Sequence, residues 1–228
     1  MKKQLKGLAI IGGEGPEPAF CGLLAKDADI IIAADSGLEA AENSRVNPDW
    51  IVGDMDSLSS LKMLEKYPKE IVLRFPQDKD LTDTELALEL LWEKGCKEIC
   101  ISGGGGGRLD HLFALRSLFE RERYPQRWVT ASNDIRCLDS ADLHLESEKP
   151  VGVKPAELVL DMYRPDTLVS VFPLGDGPWN IQSQGLKWPL DNVVWSRGTY
   201  GISNRTIGDC FTIKAIKGRF MIVLPVKY

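Results

Sequence analysis

The sequence predicts an α/β domain with a mostly parallel sheet over residues 1–146, followed by an all-β domain over residues 147–228. Three observations carry that reading. In the first part, short continuous apolar runs alternate with amphipathic stretches, the pattern of parallel strands covered by helices on both faces. Around Ser147 the texture changes, and residues 148–155 are rich in Lys, Pro, Gly and Glu. Beyond them, short β-rich runs separated by turn signals replace any helical period.

In the first domain, strands are expected at Leu8–Ile11, Ile30–Ala34, Trp50–Val52, Ile71–Phe75 and Ile99–Ser102. Helices are expected between them at Gly37–Ser44 and Leu58–Lys66. A third is expected at Thr84–Lys94, where Leu86, Leu88, Leu90 and Leu91 make a broad apolar face. A further helix should follow the glycine run at Gly103–Gly107. In the second domain the expected strands are Leu168–Phe172, Asn180–Gln182, Cys210–Ile216 and Phe220–Leu224. Turn signals at Gly175-Asp176-Gly177-Pro178, Trp188-Pro189 and Lys217-Gly218 separate them. No internal repeat is visible.

Composition narrows the function classes. A chain of 228 residues that is 43% hydrophobic and 27% charged can bury a core, which excludes disordered and fibrous classes. The net charge of −5, with basic residues scattered, gives no footprint for nucleic acid. Near the N-terminus the apolar stretch is only Leu8-Ala9-Ile10-Ile11 before glycines, too short for an export signal or a membrane span. The five cysteines, Cys21, Cys96, Cys100, Cys137 and Cys210, form no CxxC pair, and His111 and His144 are the two histidines. Reduced thiols in a cytoplasmic protein are therefore expected, without a zinc site or disulfide framework.

Five aspartates in four short motifs point to the chemistry. They are Asp35 in AADSG, Asp54 and Asp56 in VGDMDSL, Asp83 in KDLTD and Asp110 in GRLDH, each after a predicted strand. Ligands of such sheets bind beyond the carboxyl ends of the strands, so these carboxylates should gather there. Packed carboxylates need positive charge among them, and hard oxygen ligands suit Mg2+ with a polyphosphate better than zinc. Asp54 and Asp56, at i and i+2 after Gly53, can face one ion; an Asx-turn and helix cap at Asp56 or Ser57 is the plainer alternative.

In Gln77-Asp78-Lys79-Asp80-Leu81-Thr82-Asp83, Asp80 and Asp83 can add to the metal shell and Lys79 can meet a phosphate oxygen. Equally, Thr82 or Asp83 can cap the next helix, with Glu85 adding early negative charge. The run Gly103–Gly107 costs folding entropy and implies close backbone approach. Its N–H groups can cradle phosphates, with Arg108 as a charge-assisted donor. It matches neither a Walker A loop nor a GxGxxG fingerprint. Asp110 reads as functional and His111 as structural. Gly12-Gly13-Glu14-Gly15 and Asp35-Ser36-Gly37 are weaker signals: Asp35 and Ser36 can bond a ribose or phosphate, or cap a helix. Together these residues describe a magnesium–nucleotide enzyme.

In that order, AADSG, PDWIVGDMDS, KDLTDTELAL and GGGGGRLDH resemble the motifs of the thiamin pyrophosphokinase (thiamin diphosphokinase) family. GLKWPL at Gly185–Leu190 and GISN at Gly201–Asn204 look like that family's second-domain motifs. The resemblance implies a Rossmann-like α/β domain followed by a β-sandwich, in a homodimer with its active sites between subunits. It implies transfer of an intact pyrophosphoryl group from ATP, the co-substrate, to the hydroxyethyl oxygen of thiamin, with Mg2+ as cofactor. Carried over by motif, Asp54, Asp56 and Asp83 are the Mg2+ ligands. Asp35, Asp80, Arg108 and Asp110 are nucleotide or phosphate contacts, and Ser203 and Asn204 belong to the thiamin pocket. Asp80 or Asp110 would take the thiamin hydroxyl proton. A related magnesium–nucleotide phosphotransferase or hydrolase with a different acceptor, or a nucleotide- or thiamin-binding protein without turnover, is the alternative. Many relatives carry an acidic residue and an aromatic after GISN, whereas this chain has Arg205-Thr206-Ile207; Trp188 or Trp195 would then supply aromatic surface. Residues 148–164 match no motif.

Overall fold

The structure is a computed structural model that describes residues 4–140, 156–160 and 163–227. The chain divides into two compact units. The first holds the chain up to Leu118 together with Tyr124–Ser132, and the second holds Phe119–Arg123 and Asn133–Lys227. The boundary expected at 146/147 and the segment 148–155 lie outside the described residues, as does His144.

The first unit is built on six strands: β1 (Leu5–Ile10), β2 (Ile30–Ala34), β3 (Trp50–Gly53), β4 (Val72–Arg74), β5 (Cys96–Ser102) and β6 (Arg127–Val129). They run β6-β5-β1-β2-β3-β4, and every pairing among them is parallel. Leu8, Ala9, Ile10, Ile32, Ala33, Ile51, Ile99 and Ile101 are almost completely buried, as continuous apolar strands require of a sheet covered on both faces. The chain turns to one side of β1 through β2 and to the other through β5. Their carboxyl ends therefore flank a topological switch point, where α/β sheets place ligands.

Four helices accompany these strands: α1 (Pro18–Asp27), α2 (Gly37–Asn43), α3 (Asp83–Glu93) and α4 (Leu109–Leu118). Thr82 starts α3 with a capping box, its hydroxyl accepting from the Glu85 N–H while the Glu85 carboxylate accepts from the Thr82 N–H. Ala87, Leu88 and Leu91 are buried on its inner face, each leucine contributing about 1.5–3 kcal/mol. Gly37 opens α2 where a Cβ would stand 2.1 Å from the Ile10 carbonyl oxygen, so only glycine lets the helix start this close to β1. α1 gave no sequence signal because Pro18 and Gly22 interrupt its pattern, although Pro suits a first helical turn. The helix expected at Leu58–Lys66 is a shorter 3₁₀ turn, Leu61–Lys66. Ser60 caps that turn, and the preceding Ser59 N–H is held instead by the Glu39 carboxylate at 2.6 Å.

The second unit is a β-sandwich. One sheet orders β11 (Gly201–Arg205), β9 (Leu168–Leu174), β13 (Arg219–Pro225) and β7 (Asn133–Asp139), with antiparallel pairings. The other places β12 (Phe211–Lys217) between β10 (Asn180–Gln184) and β8 (Ala156–Leu160). Val169, Val171, Phe220 and Ile222 of the first sheet share one core cluster with Ile181, Phe211, Ile213 and Ala215 of the second. Tyr163 packs edge-on to Phe211 in that core. Arg219 bonds the Asp139 carboxylate at 2.7 Å and donates to the carbonyls of Phe119 and Arg121, tying the 119–123 turn to this unit. No described helix is long and apolar enough to cross a membrane.

Candidate active site

Asp35 leaves β2, Asp54 leaves β3, and Asp83 opens α3 after β4. Parallel strand order makes these three carboxyl ends neighbours, and one carboxylate oxygen from each lies within 4.8 Å of the others. Two of the residues that shape the cluster have positive φ, Asp35 at 48° and Met55 at 67°, a strain that persists only where the surroundings impose it. Met55 shows how. Its side chain is buried with Ala33, Leu38, Ile51 and Leu64, which turns the backbone so that Asp54 faces the cluster.

The local electrostatics are unbalanced. Lys79 Nζ stands 3.2 Å from Asp54 Oδ2 and 3.2 Å from Asp83 Oδ1. Partial burial opposes the ammonium charge, yet Asp83 and Asp54 outweigh it and raise Lys79 above its ordinary 10.5. Burial pushes the Asp83 carboxyl above its ordinary 3.8, with the Asp54 and Asp35 charges adding and Lys79 opposing. The Asp56 N–H, donating to Asp54 Oδ1 at 3.2 Å, holds Asp54 below its ordinary value, assisted by Lys79. Among the described residues, Asp35 Oδ1 is buried without a hydrogen-bond partner, and Asp83 Oδ1 is buried in ion-pair contact with Lys79 Nζ. A buried carboxylate oxygen left unpaired is costly. Three converging carboxylates that share one ammonium, with Asp35 Oδ1 left unpaired, fit a hard divalent cation.

Asp56, expected beside Asp54 on one ion, is placed differently. It is exposed, accepts from Ser57 Oγ at 3.0 Å and from Gln77 Nε2 at 2.7 Å, and stands outside the three-carboxylate cluster. The Asx-type bond from its N–H to Asp54 is the plainer alternative read from the sequence. Asp80 is exposed on the approach to α3. Ser36 precedes α2 but its side chain makes no capping bond.

The glycine loop is tied to the loop after β1. Gly104 N–H donates to the Gly12 carbonyl at 2.7 Å, and Glu14 and Gly105 exchange backbone bonds at 2.8 and 3.0 Å. A Cβ on Gly103, whose φ is 115°, would stand 2.3 Å from the Ile11 carbonyl oxygen. The expectation that the whole run offers its N–H groups to phosphates is therefore corrected. Those of Gly103, Gly104 and Gly105 serve backbone carbonyls, and only the Gly106–Arg108 end is left for an anion. Arg108 and Asp110 form an exposed bidentate pair, Nε to Oδ1 at 3.1 Å and Nη2 to Oδ2. The guanidinium holds Asp110 below its ordinary 3.8. His111 is exposed. Trp128 was not singled out by sequence, yet its indole N–H donates to the Gly103 carbonyl at 2.8 Å; no local signal marks a contact 25 residues away.

In the second unit, Ser203 is exposed on β11 with φ 59°, its N–H donating to Ser170 Oγ at 3.2 Å. Asn204 is 4% exposed, and its amide is spent on backbone. Its Oδ1 accepts from the N–H groups of Trp188 and Arg205, and its Nδ2 donates to the Trp188 carbonyl at 2.6 Å. Trp188 is half exposed, whereas Trp195 packs edge-on to Phe220 against the core.

Comparison with known proteins agrees with this architecture. Residues 21–131 match the description "Thiamin pyrophosphokinase, catalytic domain", and residues 157–219 match "Thiamin pyrophosphokinase, vitamin B1 binding domain". The thiamine pyrophosphokinase of Bacillus subtilis (strain 168) is 26% identical over 195 residues, spanning 84% of this chain and 85% of that protein. The crystal structure of a Bacillus subtilis thiamine pyrophosphokinase superposes with a TM-score of 0.72 at 23% identity, covering 97% of this chain and 100% of that one. A thiamin pyrophosphokinase family protein from Enterococcus faecalis gives a TM-score of 0.71 at 23% identity, covering 99% and 100%. Those two likenesses establish the fold, while the two matched domain descriptions, in order along most of the chain, establish the kinship: the chain belongs to the thiamin pyrophosphokinase family.

Proposed function

We propose that this chain transfers the pyrophosphoryl group of ATP to the hydroxyethyl oxygen of thiamin, releasing AMP, with Mg2+ held by Asp35, Asp54 and Asp83. The observation that carries the proposal is the convergence of three carboxylates at the strand ends, which share one ammonium, Lys79, and leave Asp35 Oδ1 buried without a hydrogen-bond partner. Asp56 is available as a further ligand, directly or through water, by giving up its Gln77 contact. When bound, Mg2+ supplies charge neutralisation for the polyphosphate and alignment of the oxygens in line with the attacked β-phosphorus.

The protein's own part is positioning and electrostatics. The Gly106–Arg108 end of the glycine loop offers backbone donors, and the exposed Arg108 guanidinium can exchange Asp110 for a phosphate at little cost, since exposed pairs are weak. Asp80 and Asp110 are the two candidates for taking the thiamin hydroxyl proton, and both are exposed. Ser203 and the half-exposed face of Trp188 supply acceptor contacts, which Asn204 positions by holding the Trp188 backbone. We assign the acceptor pocket to a homodimer, each site completed by a second copy.

The test is direct. Purified protein incubated with ATP, thiamin and Mg2+ should form AMP and thiamin diphosphate in equal amounts, and excess EDTA should abolish both. Folded protein that forms neither product with Mg2+ present would sink the proposal.

A further inference from the structure

We infer that Lys79 is a built-in counter-ion of the carboxylate cluster, keeping the site assembled in the metal-free chain and giving way when a divalent cation binds. The inference rests on the proposed metal–nucleotide reading of the same site. Its basis is position. Lys79 Nζ lies 3.2 Å from Asp54 Oδ2 and 3.2 Å from Asp83 Oδ1, and only 13% of its side chain is exposed. It therefore stands on two of the three carboxylates that a cation would coordinate.

Charge and reach explain why the arrangement is temporary. One ammonium cannot balance three carboxylates, and Asp35 Oδ1 remains buried with no hydrogen-bond partner. A divalent cation carries twice the charge of Lys79, and the three carboxylates each offer it an oxygen within 4.8 Å of the others. Lys79 lies four residues before Asp83 on the approach to α3, and its four-carbon stem can swing the ammonium aside by rotamer changes. Displaced from the carboxylates, the ammonium is free for phosphate oxygens. Cation entry thus converts one residue from carboxylate partner to phosphate partner, which couples metal loading to nucleotide binding without a moving lid.

Mn2+ titration of the nucleotide-free protein, read by calorimetry or electron paramagnetic resonance, tests this. Lys79→Met should bind Mn2+ about 3- to 10-fold more tightly than the unmodified chain, the scale of two partly covered ion pairs lost by the competitor. Lys79→Arg, which keeps the charge, should stay near the unmodified value. In EDTA the Lys79→Met protein should melt at a lower temperature, and Mn2+ should restore it. Lys79→Gln serves the same comparison should the methionine variant fail to fold. Equal or weaker Mn2+ binding by the folded charge-removal variant overturns the counter-ion role. Failure of the unmodified chain to bind Mn2+, with or without ATP, counts instead against the metal–nucleotide reading.

Discussion

The carboxylate cluster of the first unit and the Asn204 clamp of the second are both buried polar motifs next to residues of positive φ, but they are satisfied in opposite ways. Every polar atom of the Asn204 amide is engaged with backbone of Trp188 and Arg205. At the cluster, Asp35 Oδ1 is buried without a hydrogen-bond partner, and Asp83 Oδ1 has the Lys79 ammonium at 3.2 Å in place of a backbone donor. A buried polar group with all its bonds made is explained by folding, whereas one kept unpaired against its own cost is explained by something that binds. The two motifs should therefore respond differently to removal: the clamp through stability, the cluster through turnover.

The largest expected effect is on activity. Asp54→Asn and Asp83→Asn should each lower kcat by about 10³-fold, the scale of losing a preorganised electrostatic partner. Metal-free thermal stability should stay close to that of the unmodified chain, and a collapse of folding would place the cluster in the same class as the clamp. Asn204→Ala inverts the pattern. Leaving the backbone groups of Trp188 and Arg205 unpaired should cost about 2–4 kcal/mol in urea denaturation. A marginal stability loss with a large loss of activity would mean that the amide acts on substrate instead.

Arg108→Ala should lower kcat/KM for ATP by about 10-fold, with the melting temperature near that of the unmodified chain, because its partner Asp110 is exposed. A stability loss beyond that would give the pair a structural role. Smaller still is a pH effect. The Asp83 carboxyl is raised above its ordinary 3.8 by burial, so its contribution to stability is fully present below that value and is lost as pH rises through the folded pKa. Asp83→Asn removes that loss, so its melting temperature relative to the unmodified metal-free chain should be more favourable at pH 7 than at pH 3.5. Asp54 has the opposite sign, lowered by the Asp56 N–H. Its contribution is present above 3.8 and lost as pH falls through the folded pKa, so Asp54→Asn should show the reverse trend.

Much of the first unit was legible because parallel strands are written as continuous apolar runs. Ile30–Ala34 is a strand over the residues expected, and the capping box of Thr82 and Glu85 marks the start of α3 one residue before the periodicity does. β6, β7 and β8 were not read. β6 has three residues, β8 follows directly on the stretch 148–155 rich in Lys, Pro, Gly and Glu, and β7 mixes Asp134 and Arg136 into its alternation because those two pair with each other at 2.9 Å. In the second unit, the turn signals located β9, β10, β12 and β13, whereas β11 carried no β-rich run and was noticed only as a motif.

Local sequence determined that Asp35, Asp54 and Asp83 each sit at the end of a strand or the start of a helix, because strand ends and caps are encoded within a few residues. It also fixed the order of the motifs that identify the family. Tertiary structure alone decided which carboxylates meet. Strand order made Asp35 the third member of the cluster, burial of Met55 aimed Asp54 inward, and Gln77 drew Asp56 outward. Those outcomes depend on neighbours brought together across the sheet and by packing. Spacing along the chain does not specify them.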